Sequence, residues 1–88
     1  MFELGKVSVT LGAEHALQNS GQSADEFVAR HQAGDWGDVA DETIELNADA
    51  LQQGGRLQSV YHTQNGDKLL VVTEPDRKLT SVSLPDER

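Results

Sequence analysis

Apolar positions change their spacing along the chain, and each change predicts a new element. Lys6 to Thr10 alternates polar and β-branched residues, which predicts a short half-buried strand extending back towards Phe2. Thr10 then stands as the N-cap of a helix through Asn19, with Leu11, Ala16 and Leu17 as its apolar stripe and Gly21 beyond its end. Ser23-Ala24-Asp25-Glu26 is a capping box, in which Ser23 accepts the amide of Glu26 and Glu26 reaches back to Ser23. The helix it opens runs to Ala33, with Phe27, Val28 and His31 on one side and Arg30 four residues after Glu26. Gly34 stops it. A third helix has Asp38 as its N-cap and Asp41, Glu42 and Glu45 where the helix dipole favours negative charge. Ile44, Ala48 and Leu51 mark its buried stripe, with Leu46 and Ala50 beside them, and Gly54-Gly55 ends it.

The last third changes to period two. Arg56 to Thr63 and Lys68 to Thr73 flank Asn65-Gly66, which predicts a hairpin with a two-residue type I′ loop. That loop pairs Tyr61 with Leu70 and Val60 with Val71. Pro75-Asp76 supplies a second turn, pairing Thr73 with Lys78 and Val72 with Leu79, and Lys78 to Leu84 is the last strand. In this register Tyr61, Leu70, Val72 and Leu79 share one face, and Val60, Leu69, Val71, Val82 and Leu84 share the other. The expected architecture is one α+β domain over residues 1–88, ordered β-α-α-α-β-β-β. An antiparallel meander sheet carries the helices on one face, and residues 85–88 form a polar tail. The Val60 face, richer in β-branched residues, is expected to meet the helices. The Tyr61 face is expected to stay open as a homodimer or partner contact.

Charge narrows the functional classes. Seven Lys and Arg against fifteen Asp and Glu leave a formal net charge of −8, which repels nucleic-acid phosphates and anionic membranes. With no cysteine there is no disulfide, thiolate metal site or cysteine nucleophile. The N-terminal stretch lacks the pattern of a signal peptide, and the expected location is the cytoplasm.

The stretch Ala29 to Glu42 concentrates the candidate chemistry. It holds the one tryptophan, His31 and four carboxylates around Gly34 and Gly37. His31 and Asp35, four apart, are spaced for an acid–base pair, and equally for a histidine favoured by the helix C-terminus. Trp36 is either an exposed partner anchor or a wedge setting the angle between the second and third helices, touching Phe27 or Ile44; the wedge is favoured. Asp35, Asp38, Asp41, Glu42 and Glu45 are chemically suited to a hard cation but do not follow the ligand spacing of a calcium loop, and the expectation is no metal and no cofactor. No P-loop, nucleophile elbow or dinucleotide fingerprint occurs, so no catalytic residue is assigned. The interaction candidates are Trp36, Asp35, Asp38, Asp41, Glu42, Tyr61, Leu70 and Val72.

These residues resemble a group of small bacterial proteins found on plasmids and other mobile elements. The group carries an H-x-x-G-D-W-G corner, here His31 to Gly37, then a tyrosine–histidine strand, here Tyr61-His62, and a TE-x-DR turn, here Thr73 to Arg77. The resemblance covers most of the chain and implies a mobile-element setting without implying an activity. Some members are described as restriction methylation subunits, a role that needs a cofactor-binding α/β domain with a glycine-rich turn absent from these 88 residues. The expected function is that of an acidic accessory protein acting on an unidentified protein partner, with anti-restriction DNA mimicry as its sharper form. The alternative is a small enzyme or ligand-binding domain using the His31/Asp35 corner with Tyr61 and His62.

Overall fold

The computed structural model describes residues 2–87. Strand β1 (Lys6–Val9) is followed by helices α1 (Leu11–Ser20), α2 (Ala24–Gln32) and α3 (Asp41–Gln53). Strands β2 (Leu57–His62), β3 (Lys68–Thr73) and β4 (Leu79–Ser83) follow, then a 3-10 turn at Pro85–Glu87. This is the α+β order that the pattern predicts. One sheet has the order β1-β4-β3-β2. β2, β3 and β4 form the antiparallel meander, but β1 joins β4 in parallel, so the sheet is mixed. Only strands joined by a hairpin must run antiparallel. Nearly the whole chain separates β1 from β4, and no turn sets its direction.

The hairpin register differs from expectation by one residue. Thr63 N–H donates to the Asp67 carbonyl at 2.9 Å and Gly66 N–H to the Thr63 carbonyl at 2.9 Å. Gly66 has φ +88°, whereas Asn65 keeps negative φ. This is a three-residue loop with one left-handed residue, not a type I′ turn with two. Its tip is tied to the α1–α2 turn: Asn65 Nδ2 donates to the Asn19 carbonyl and Gln64 N–H to Gln22 Oε1. Val60 therefore faces Leu70, and Tyr61 faces Leu69. A one-residue slip moves a strand's side chains to opposite faces relative to its partner. At the second turn Thr73 faces Thr80 and Val72 faces Ser81, two residues beyond the expected pairing, and such a shift preserves the faces.

The core is corrected accordingly. Tyr61 joins Leu69, Val71 and Val82, and they pack with Ala13 and Leu17 of α1 and Phe27 and Val28 of α2. Burying each large apolar side chain contributes about 1.5–3 kcal/mol. Tyr61 and Val72 are only 2% and 1% exposed, Val60 is also buried, and Leu70 is half-buried. The open apolar face expected from Tyr61, Leu70 and Val72 does not exist, and the homodimer or partner contact expected there has no exposed surface to use. Within α1, Ala13 takes the inward position expected of Leu11, which is exposed.

α3 contributes nothing to that cluster; it packs beside β2. Its buried side is rotated from the expected stripe: Asn47 and Ala50 are buried, the latter as expected, while Ile44, Leu46 and Leu51 are exposed. The cause is the edge of β2, whose outward backbone groups need partners. Asn47 Nδ2 donates to the Gln58 carbonyl at 2.9 Å, and Gln58 N–H donates to Asn47 Oδ1 at 3.1 Å. Arg77, in the left-handed region at φ +61°, fastens the far end of α3 by donating to the Ala50 and Gly55 carbonyls. The expected polar tail is docked over residues 85–87, and Arg88 lies outside the described residues. The Glu87 carboxylate accepts from the Thr10 hydroxyl at 2.5 Å, the Gly12 amide and the Leu84 amide.

Candidate functional site at the His31–Gly37 corner

Helix α2 ends in a Schellman arrangement. Gly34 N–H donates to the His31 carbonyl at 3.1 Å and Asp35 N–H to the Arg30 carbonyl at 2.9 Å, with Gly34 at φ +86°. The chain then turns along the outer edge of β2. Val60 N–H donates to the Trp36 carbonyl at 3.0 Å and Asp38 N–H to the Val60 carbonyl at 2.7 Å, an isolated parallel bridge. Gly37 makes this approach possible. At φ +75°, a Cβ there would overlap the Val60 carbonyl oxygen and lie 2.6 Å from the Tyr61 ring. Because Asp38 is held in this bridge, it does not cap α3. The N-cap is Ala40, without a side-chain bond.

Asp35 does not orient His31. Its carboxylate accepts from Arg30 Nε at 2.8 Å and from the Gly37 amide at 3.2 Å. The Arg30 bond, then the Gly37 amide, holds its pKa below the usual carboxylate value. Both partners of the Arg30–Asp35 pair are about half exposed, so the pair adds little stability. Arg30 also lies over the Tyr61 ring, 4.6 Å from its centroid, and Tyr61 Oη donates to the Asp35 carbonyl at 2.5 Å. Burial raises the Tyr61 pKa, which keeps the phenol protonated as a donor.

His31 lies beneath this layer, fully buried. Nδ1 is 2.5 Å from Ser59 Oγ and Nε2 is 2.9 Å from Thr73 Oγ1. Thr73 Oγ1 is in turn 2.7 Å from Thr80 Oγ1, which donates to the Leu4 carbonyl at 2.7 Å. A carbonyl only accepts, so the far end sets the direction of the whole chain. Thr80 donates to Leu4, Thr73 to Thr80, and His31 Nε2–H to Thr73, which leaves Nδ1 to accept from Ser59. The ring is the neutral Nε2–H tautomer, and burial pushes its pKa down to about 4. With both nitrogens bonded and no solvent contact, it has no free position for proton transfer to a substrate.

Trp36 is half-buried, and its partners differ from those expected. Its ring stacks on Phe2 at 6.3 Å between centroids and meets the His31 ring edge-on at 5.6 Å. Phe2 in turn meets His31 at 5.3 Å and lies beneath the Arg77 guanidinium. The tryptophan therefore closes the N-terminal segment over the histidine, and does not separate α2 from α3.

Above the bridge, Arg30, Asp35, Asp38, Tyr61 and His62 line an open cleft of about 390 Å³. The enzyme reading requires His31, Asp35, Tyr61 and His62 to converge; the last three line this cleft, and His62 Nδ1 approaches Asp38 Oδ2 at 4.0 Å. His31 is not among its lining residues. Asp41 and Glu42 stand exposed in the first turn of α3. Among the described residues no three His, Cys, Asp or Glu side chains gather to hold a metal ion, and no helix is long and apolar enough to cross a membrane. Sequence reasoning missed Ser59, Thr73, Thr80 and Asn47. Their one signal is a polar residue at an inward position of an otherwise apolar face. Comparisons with protein-family models, curated proteins and solved structures find no match for this chain.

Proposed function

We propose that this chain is a cytoplasmic, non-enzymatic accessory protein that acts by binding another protein, in the mobile-element setting its resemblance suggests. One observation carries the reading: the residues of the His31–Gly37 corner are engaged in the fold. His31 is bonded at both nitrogens, Asp35 is held by Arg30 and Gly37, and the backbone on either side of Gly37 is paired to β2. What the chain offers outward is negative charge, at a formal −8. The same charge opposes direct contact with nucleic acid or an anionic membrane.

α3 concentrates this charge. Asp41, Glu42, Glu45 and Asp49 are exposed, and the helix contains no Lys or Arg. At about 1.5 Å rise per residue, these four carboxylates span about 12 Å, or one charge per roughly 4 Å. A single DNA strand carries one per about 3.4 Å. This spacing supports the sharper form of the reading, a protein that occupies a basic groove by mimicking DNA. The test is capture from bacterial lysate on the immobilised chain. A basic protein should be retained at low salt, released by added salt, and lost when the four carboxylates become Asn and Gln. Failure to retain any partner at low salt overturns the reading.

The cleft favours a second reading, a small enzyme or ligand-binding domain using Tyr61, His62 and Asp35. Its volume falls within the lower range of small-molecule sites. Titration with small polar ligands that shifted the amides of Gly37, Val60 and His62 together would support it.

A further inference from the structure

α3 carries its largest apolar side chains on the outside. Ile44, Ala48 and Leu51 are spaced i, i+4, i+7 and lie on one side of the helix. All three are exposed, Ile44 and Leu51 at 45% each, while the side facing β2 is built from Thr43, Asn47 and Ala50. A helix serving only as a cover for β2 has no use for an apolar stripe that flanks its buried side and stays exposed. The row next to the stripe is acidic: Asp41 precedes Ile44 by three residues, Glu45 precedes Ala48 by three, and Asp49 follows Glu45 by four.

We propose that this stripe and its acidic border form the docking surface for a basic amphipathic helix of a partner protein. The inference rests on the protein-binding reading above and names the surface and the chemistry of its occupant. Charge complementarity selects that occupant. A second copy would bring α3 against a helix that has carboxylates and no Lys or Arg, so like charges would meet. A groove shaped only for DNA phosphates would match the carboxylates but leave Ile44 and Leu51 uncovered. A helix with leucines at i, i+3 or i+4 and i+7, bordered by lysines, covers both features, since its apolar ridge lies alongside a straight stripe about 10 Å long.

The probe is a capped peptide of about 18 residues, long enough to populate a helix, with leucines on one face and lysines elsewhere. The control has the same composition, ordered so that the leucines scatter round the helix. Titrated into the 15N-labelled full chain at low salt, the first peptide should saturate and shift the amides of residues 41–52. The scattered peptide should bind roughly tenfold more weakly. Ile44→Ser with Leu51→Ser should reduce the ordered peptide to the level of the scattered one. Ala48→Arg should do the same while leaving both large residues in place, so the test survives if the double variant is unstable. Equal binding of the two peptides, shifts centred away from α3, or undiminished binding to Ala48→Arg overturns the proposal. A lysate partner that binds Ala48→Arg as well as the parent also overturns this surface, while leaving the protein-binding reading intact. A parent chain that captures no partner overturns that reading and this one with it.

Discussion

Acidification from pH 7 to pH 5 should remove about 2 kcal/mol of stability through His31 alone. The ring is fully buried and neutral, and its pKa falls from 6.5 to about 4. Once unfolded, it regains the ordinary value. Between pH 6.5 and pH 4 the unfolded chain therefore binds a proton that the folded chain refuses, and stability falls with pH by up to about 1.4 kcal/mol per unit. The loss begins near pH 6.5, amounts to about 2 kcal/mol at pH 5, and totals roughly 3 kcal/mol once the folded ring protonates. A domain of this size has about 4–13 kcal/mol in all. Asp35 and Glu87, whose carboxyls are held below 3.8 and 4.5, contribute stability that is present above those values and lost below them. The window between pH 7 and pH 5 is thus left mainly to the histidine. Urea unfolding measures the effect. With a slope near 1 kcal/mol per molar, the midpoint should drop by roughly 1–2 M. His31→Gln, which keeps a donor and an acceptor but does not titrate, should be less stable at pH 7 and lose much less on acidification. If the parent midpoint holds between pH 7 and pH 5, or His31→Gln falls by as much, the neutral buried ring is the wrong description. Nitrogen shifts of the ring would settle the tautomer independently.

Gly37→Ala forces a side chain into the Val60 carbonyl and the Tyr61 ring at a positive φ, and should cost about 2–4 kcal/mol, with faster hydrogen exchange at Val60. An unchanged melting temperature would mean that the bridge to β2 is dispensable. Asn47→Leu keeps the volume but leaves Gln58 N–H and C=O without their partners, so a loss of about 2–4 kcal/mol is expected in urea. A neutral result would show that α3 is not tied to the sheet edge through this side chain. Trp36→Ala removes a half-buried ring from Phe2 and His31, and should cost about 2–3 kcal/mol, less than the roughly 3–5 kcal/mol of a fully buried aromatic. Calorimetry showing no loss would make Trp36 an exposed anchor instead.

Local rules were sufficient wherever a segment's own residues meet its hydrogen-bonding needs. Thr10 caps α1, Ser23 caps α2 through the Asp25 amide while Glu26 accepts from Gln22 and closes no box, Gly34 and Gly54 end their helices, and Phe27, Val28 and His31 turn inward as their spacing predicts. The element order and α+β class follow from the same periodicities. Decisions between segments were not legible. The Asn65-Gly66 loop admits both a two-residue and a three-residue form. Contacts from Asn19 and Gln22 belong to the second, and with it Tyr61 moved from the supposed open face into the core. α3 shows a plain apolar stripe. Yet the backbone of β2 needed an amide at Asn47 more than the core needed Ile44 and Leu51, and the helix turned the side of Asn47 and Ala50 inward. At the corner, the residue types suggested an acid–base pair. His31 instead found its partners on strands 28 and 42 residues away, and Asp35 took Arg30. Periodicity shows that a side chain is buried. Which unpaired polar group it meets there depends on which segments come together, and only the tertiary structure decides that.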